Sequence, residues 1–449
     1  MTSLLLKNIY RLALMDDDGT ELENAWVMSR NGVIESLGTG PAPIGADDEI
    51  DLNGHVVIPG MVNTHHHLFQ NLTRVIPAGQ DATLFNWLKA LYPIWSRLDA
   101  ASISTAVSLG LAELALSGCT TSSDHQYIFP GGARLDDSIE AALRVGVRFT
   151  ATRGAMSIGE SQGGLPPDYL TESEADILKD FDRVVDAFHD SSRFAMTHVA
   201  LAPCSPFSVS TGLMRDTAIM AREKGVGLHT HLAENEEDID YSLTTFGQRP
   251  GDYAESLGWV GDDVWHAHCV RLDDNEIDLF ARSGTGVAHC PCSNMRLASG
   301  IAPVRKMRDA GVKVGLGVDG SSSNDSGHML NEARQAMLLQ RVGGDPAALT
   351  AREALFMATR GGASVLGRDD IGRIGMGYAA DFAAFDLNQI DFAGAHADPV
   401  ASLVFCGPVK ASYTIVHGRP VVAEGRLQSL DLDELMQRHR RFSINLVNG

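Results

Sequence analysis

Apolar residues along this chain follow two different periods. Between about residues 59 and 367, short runs rich in Val, Ala and Thr alternate with longer stretches whose apolar positions recur every three or four residues. The short runs cover residues 56–65, 120–124, 147–153, 197–203, 226–231, 264–268, 286–289 and 312–319. Helical spacing fills residues 103–117, 172–187, 212–224, 275–283 and 330–342. Strand and helix alternating in this way over ~310 residues predict an α/β fold of the (β/α)8 TIM barrel type. A doubly wound open sheet would instead want a glycine-rich phosphate turn after its first strand. Here the first run ends in three consecutive histidines, His65, His66 and His67.

The two ends of the chain read differently. Residues 4–10, 25–30 and 33–37 look like strands, and Asn31-Gly32 between the last two is a strong hairpin signal. A similar pattern returns at 381–386 and 412–417, followed by Gly418-Arg419-Pro420 and Val421-Val422. Together the ends predict one small β-sandwich domain, built from residues 1–58 and 369–428, with the barrel of residues 59–368 inserted between them. Residues 429–449 form a terminal helix, expected over 431–442, and a tail.

Composition narrows the partners. The 449 residues hold 36 Lys plus Arg against 57 Asp plus Glu, a formal net charge of -21. Phosphate backbones would be repelled by most of such a surface, so nucleic acid is excluded as a partner, while a small heterocycle is not. No apolar run approaches the ~18 residues that cross a bilayer, so no membrane partner is expected. The first residues alternate as a strand does and do not resemble a secretory leader. Six cysteines scattered through apolar runs read as buried free thiols in a reducing cytoplasm. Cys290 and Cys292 form C-P-C, which is not the spacing of a zinc ribbon or a redox pair.

The chemistry lies in where histidine and carboxylate fall. Run one closes on His65-His66-His67, run five on His229-Thr230-His231 with Glu234 just beyond, run six on His266-Ala267-His268, and run eight on Asp319. These are the C-terminal ends of barrel strands, where barrel enzymes place their sites. Alternate residues of a strand share a face, so His65 and His67 point together, as two imidazoles on one cation must. A single His-x-His pair is weak support, because a histidine is often simply satisfied in a core. Ligand-type residues at four separate strand ends form a different pattern, that of a catalytic metal with an open position for water and a carboxylate to move its proton. Period alone leaves open which member of the 229/231 and 266/268 pairs faces the metal.

At these positions the chain resembles the amidohydrolase superfamily, in particular its cytosine, guanine and chlorinated-triazine branch. The resemblance rests on Pro59-Gly60-Met61-Val62-Asn63-Thr64-His65-His66-His67, His231-Leu232-Ala233-Glu234, Ala267-His268-Cys269, Pro291-Cys292-Ser293-Asn294 and Gly317-Val318-Asp319. Gly372-Arg373-Ile374-Gly375 and Ala380-Asp381 match the return strand of that family's split β-domain. The resemblance implies that His65, His67, His231 and Asp319 bind the metal, that His268 lies near the attacking water, and that Glu234 is the acid that protonates ring nitrogen and leaving amine. No lysine closes run four, Ala202-Pro203-Cys204, so one metal per subunit is expected rather than a carbamylated-lysine pair. Zn2+ is the expected ion, with Fe2+ or Mn2+ able to use the same ligands. Members of the family are commonly homo-oligomers.

Finer motifs imply the substrate. Gln70 follows His67 at the spacing of guanine-type deaminases, where such a glutamine reads the purine edge, and a primary amide can donate and accept at once. Residues 117–130, the Thr152-Arg153-Gly154-Ala155-Met156-Ser157 strand end and Leu91-Tyr92-Pro93-Ile94-Trp95 resemble the bacterial 8-oxoguanine-deaminating group within that branch. The implied reaction is hydrolysis of 8-oxoguanine to urate and ammonia. His125 and Arg153, closing runs two and three, are further candidates to touch the substrate. Guanine or isoxanthopterin deamination and triazine hydrolysis are the alternatives on the same scaffold. A non-catalytic scaffold of the dihydropyrimidinase-like kind would carry degraded ligand positions, and none is missing here.

Overall fold

In the computed structural model, which describes residues 2–449, eight parallel strands close into a barrel. They are β1 (Met61–Asn63), β2 (Cys119–Gln126), β3 (Arg148–Ala155), β4 (Thr197–Pro203), β5 (Gly227–Leu232), β6 (Val264–His268), β7 (Gly286–His289) and β8 (Lys313–Leu316). Closure comes from Leu316 of β8 pairing with Asn63 of β1. The helices outside pack one face onto this wall. Thr211–Lys224 is representative: Ser210 caps it by accepting from Leu213 N, and Gly225 ends it at φ 68°. Its buried Leu213, Met214, Thr217, Ala218 and Ala221 recur at helical spacing and face the barrel.

The first expected strand divides in two. His55–Pro59 belongs to the terminal sheet, while Met61–Asn63 enters the barrel. The break falls at Gly60, where a Cβ would stand 2.2 Å from the Thr120 side chain. Its N–H bonds Asp381 O at 3.0 Å, away from the barrel.

The chain ends make a nine-stranded sheet around its own apolar cluster, with Leu4, Leu6, Ile9, Val27, Val57 and Phe382 buried in it. Asn31 and Gly32 both take left-handed φ, 51° and 78°, and join Arg30 to its partner Val33. That is the turn the Asn-Gly pair predicts. Arg148, at the start of β3, ties sheet to barrel: its Nε donates to Asp381 Oδ2 at 2.7 Å, and both side chains are buried.

Two helices bear directly on the site. Leu84–Trp95 was not among the expected helices, although Leu84, Trp87, Leu88, Leu91, Tyr92 and Trp95 are buried on one stripe of it. The C-terminal helix runs over Leu432–Asn448, further than expected. Its extension is held by tertiary bonds: Ser443 Oγ donates to Leu72 O at 2.7 Å, and Leu446 O accepts from Arg97 Nε at 3.0 Å. It thereby buttresses the short helical turn Leu68–Thr73 that carries Gln70. No helix among the described residues is long and apolar enough to cross a membrane.

Candidate metal centre and active site

Three imidazoles and one carboxylate converge at the C-terminal mouth of the barrel. His65 and His67 lie just past the end of β1, His231 lies in β5, and Asp319 follows β8. His67 Nδ1 is 2.7 Å from His125 O, and His231 Nδ1 is 2.6 Å from Cys204 O. A carbonyl only accepts, so each ring carries its proton on Nδ1 and a lone pair on Nε2. Those two Nε2 atoms are 3.1 Å apart. Asp319 Oδ1 stands 3.3 Å from both His65 Nε2 and His67 Nε2. Lone pairs and a carboxylate oxygen this close repel one another, and a cation among them converts the repulsion into coordination. His65 Nε2 is buried without a hydrogen-bond partner, which fits the same role. Nitrogen and oxygen donors in this number suit a divalent first-row metal.

Burial, with the charge of His65 second, pushes His67 down to about 3, so the ring is neutral and able to bind a metal. Asp319 is locked in place: Oδ2 accepts from Ser293 Oγ at 2.5 Å and Ser323 Oγ at 3.0 Å, and Oδ1 from Gly320 N at 2.7 Å. The backbone turns sharply here. Asp319 has φ 61°, His268 71° and Ala233 50°, all left-handed. Such strain, about 1–2 kcal/mol per residue, is held by surrounding structure and gathers where strand ends must aim side chains.

Glu234 and His268 complete the mouth. His268 Nδ1 donates to Asn294 Oδ1 at 3.0 Å, which turns Nε2 toward Glu234 Oε2 at 3.5 Å and Asp319 Oδ2 at 3.9 Å. Burial raises the Glu234 carboxyl to about 7, although His268 pulls the other way. Burial alone would lower His268, but the carboxylates of Glu234 and Asp319 hold it above its ordinary value. A carboxyl that titrates near neutrality beside a metal-type cluster is suited to take and return a proton.

A partly enclosed cavity lies above these groups. Leu84, Trp87 and Leu88 form an apolar wall, with Phe207 on the wall as well, and Gln70 and Tyr127 supply polar atoms. Gln70 Nε2 donates to Tyr127 Oη at 3.3 Å, while its buried Oε1 has no partner. An apolar slot with a few convergent polar groups suits a flat heterocycle.

A model of the amidohydrolase family matches residues 56–421. The chain belongs to the amidohydrolase family. This amidohydrolase is 43% identical over 441 residues to the 8-oxoguanine deaminase of Pseudomonas aeruginosa, covering 98% of each chain. It is 37% identical to an isoxanthopterin deaminase from an unknown prokaryotic organism, over 96% of this chain and 94% of that one. Among solved structures, the atrazine chlorohydrolase of Arthrobacter aurescens TC1 complexed with zinc superposes with a TM-score of 0.94 at 34% identity, covering 98% of this chain and 100% of that one. Family membership makes the chain a metal-dependent hydrolase acting on C–N bonds.

Within the amidohydrolase barrel the ambiguous pairs resolve. His231 faces the cluster, whereas His229 lies behind His65, with ring centroids 4.9 Å apart. His268 faces the cavity, whereas His266 Nε2 donates to Trp259 O at 2.9 Å. Two substrate candidates do not reach the cavity lining. Arg153 is turned outward and occupied: Nε bonds Asp180 Oδ2 and Nη2 bonds Glu172 Oε1, each at 2.7 Å, and the guanidinium lies over the Phe129 ring. Strand period places Arg153 at the end of β3 but cannot know that two carboxylates wait on the outer side. His125 sits below the cluster, its ring stacked on His231 at 5.0 Å, with Nε2 donating to Ala202 O at 2.8 Å. Its ring nitrogen lies within 4.8 Å of those of His65, His67 and His231, beneath the cluster rather than on a substrate wall. Trp87, Leu88 and Phe207 were missed by sequence reasoning. The helical stripe from Leu84 to Trp95 was the available signal for the first two. Phe207 sits in an irregular segment and had none.

Proposed function

We propose that this amidohydrolase deaminates 8-oxoguanine: one water is consumed, and urate and ammonia leave. The observation that carries the reading is Glu234, buried at the edge of the His65/His67/His231/Asp319 cluster with its carboxyl raised to about 7. An amine must be protonated to depart, and Glu234 is placed to hold that proton. The relative from Pseudomonas aeruginosa supports the choice of purine.

His65, His67, His231 and Asp319 would hold one divalent cation, with zinc favoured by the zinc-complexed chlorohydrolase of the same fold. When bound, the cation supplies the Lewis acidity that makes an attacking water reactive at neutral pH. Asp319 and His268 orient that water toward C2 of the ring. Glu234 takes one proton of the water and delivers it to N3, then takes the proton of the hydroxyl left on C2 and passes it to the departing amine. Gln70 engages the ring edge through Oε1, which is buried and has no partner within the protein. Leu84, Trp87 and Leu88 cover the ring faces and exclude water, which strengthens each polar contact beneath.

Isoxanthopterin is the second reading, favoured by the 37% identical relative that deaminates it. Release of ammonia from 8-oxoguanine, guanine and isoxanthopterin, measured beside urate formation and metal content on one preparation, separates the two. Deamination of 8-oxoguanine with the highest kcat/KM supports the proposal. Turnover of isoxanthopterin alone, or full activity after exhaustive chelation, overturns it.

A further inference from the structure

Two of the three convergent imidazoles have their tautomer set by a backbone carbonyl: His67 by His125 O and His231 by Cys204 O. His65 has no such carbonyl. Its Nδ1 meets His229 Nε2 at 2.8 Å instead. His229 is wholly buried, and its ring stacks on Trp265 with centroids 4.7 Å apart and planes 16° from parallel. Its own Nδ1 is 2.9 Å from Trp265 O. Because that carbonyl can only accept, His229 Nδ1 carries the proton and His229 Nε2 a lone pair. His65 Nδ1 must therefore be the donor between the two rings, which leaves the lone pair of His65 on Nε2, facing Asp319 Oδ1 at 3.3 Å. Trp265 closes the loop by donating from Nε1 to Thr64 O at 3.1 Å, next to His65 in sequence.

We propose that His229 is a positioning residue, which selects the metal-binding tautomer of His65 by accepting its Nδ1 proton. The proposal rests on the metal reading above and adds to it a role for a histidine that does not reach the cluster. A carbonyl is a permanent acceptor, whereas an imidazole is an acceptor only while its other nitrogen holds a proton. The state of His65 is thus fixed at one remove, by Trp265 O acting through His229. Without an acceptor behind it, His65 is free to carry its proton on Nε2, and one of the donors is lost.

Three substitutions separate this role from packing. His229→Gln puts a carbonyl oxygen near the place of Nε2 and keeps an acceptor for His65. His229→Asn reaches only the place of Nδ1 and provides none. His229→Phe keeps a ring on Trp265 and provides neither nitrogen. Zinc affinity is measured by competition with a chromogenic chelator, alongside the absorption spectrum of the cobalt-substituted protein and the melting of the metal-free forms. The Asn and Phe variants should bind zinc about 10–100-fold more weakly, the range expected when the group behind a metal ligand is removed, and Gln within a few-fold of wild type. The cobalt spectrum should change in the same two variants. Zinc binding by Asn or Phe at wild-type strength, or by Gln as weakly as Asn, overturns the proposal. If the Phe variant does not fold, the comparison of Gln with Asn decides, since both are polar. Failure of the wild type itself to bind zinc would instead overturn the metal reading.

Discussion

Position 320 can take a side chain only if Gln70 gives way: a Cβ on Gly320 would stand 1.8 Å from Gln70 Oε1 and 2.4 Å from its Cδ. The glycine that follows Asp319 thus shapes the polar wall of the cavity as well as the turn beside the cluster. Gly320→Ala should displace the Gln70 amide while leaving the four donors in place. Loss of one neutral hydrogen bond is worth about 1 kcal/mol, so KM for the purine should rise about fivefold with metal content unchanged. Steady-state kinetics beside metal analysis checks this, and an unchanged KM would remove Gln70 from substrate binding.

Glu234 sits 3.5 Å from His268 Nε2 and accepts from Ser299 Oγ at 3.4 Å. Glu234→Gln keeps the shape and removes the proton carrier. Ammonia release should fall about 10²–10⁴-fold, the usual range for a positioned acid or base. Zinc content should remain that of wild type, because the donor cluster does not include this residue.

Arg153 offers a contrast between position and role. Its guanidinium is 2% exposed and bonded to Glu172 and Asp180, which are themselves 28% and 25% exposed. Arg153→Gln should leave KM unchanged and cost about 2–3 kcal/mol of stability, in line with hydrogen bonds to charged groups. Thermal melting and steady-state kinetics together test this. A raised KM with unaltered melting would return Arg153 to the substrate site.

Glu332 is buried behind the eighth strand end, where it accepts from Asn324 Nδ2 at 2.7 Å and Cys292 N at 3.3 Å. Burial raises its carboxyl from 4.5 to about 7. The folded protein therefore keeps this proton across a range in which the unfolded chain has released it. The resulting stability is fully present below pH 4.5, declines as pH rises toward about 7, and is gone above. Denaturant unfolding at pH 5 and pH 8 should show a smaller loss in Glu332→Gln than in wild type. Equal losses in the two proteins would show that Glu332 is not the group responsible.

Much of the architecture was legible because strands and helices impose periods that one sequence displays. The runs at 197–203, 264–268 and 286–289 coincide with β4, β6 and β7, since each is a buried strand bounded by polar turns. Asn31-Gly32 announced its hairpin through the two positive φ angles that such a turn requires. The first run was read as one strand because continuity of apolar residues cannot reveal that residues 55–59 and 61–63 pair in different sheets on either side of Gly60.

The sequence by itself determined that the metal-type residues of this chain stand at strand ends of one barrel, because side-chain spacing and strand direction are local properties. Only the tertiary structure decided what turns His231 and His268 inward, as the family resemblance implied, that His125 lies beneath the cluster, and that Arg153 is spent on Glu172 and Asp180. Those outcomes depend on carbonyls and carboxylates brought close by folding, such as Cys204 O at 2.6 Å from His231 Nδ1 and Trp259 O at 2.9 Å from His266 Nε2. A hydrogen bond acts over about 3 Å in space, whatever the distance along the chain.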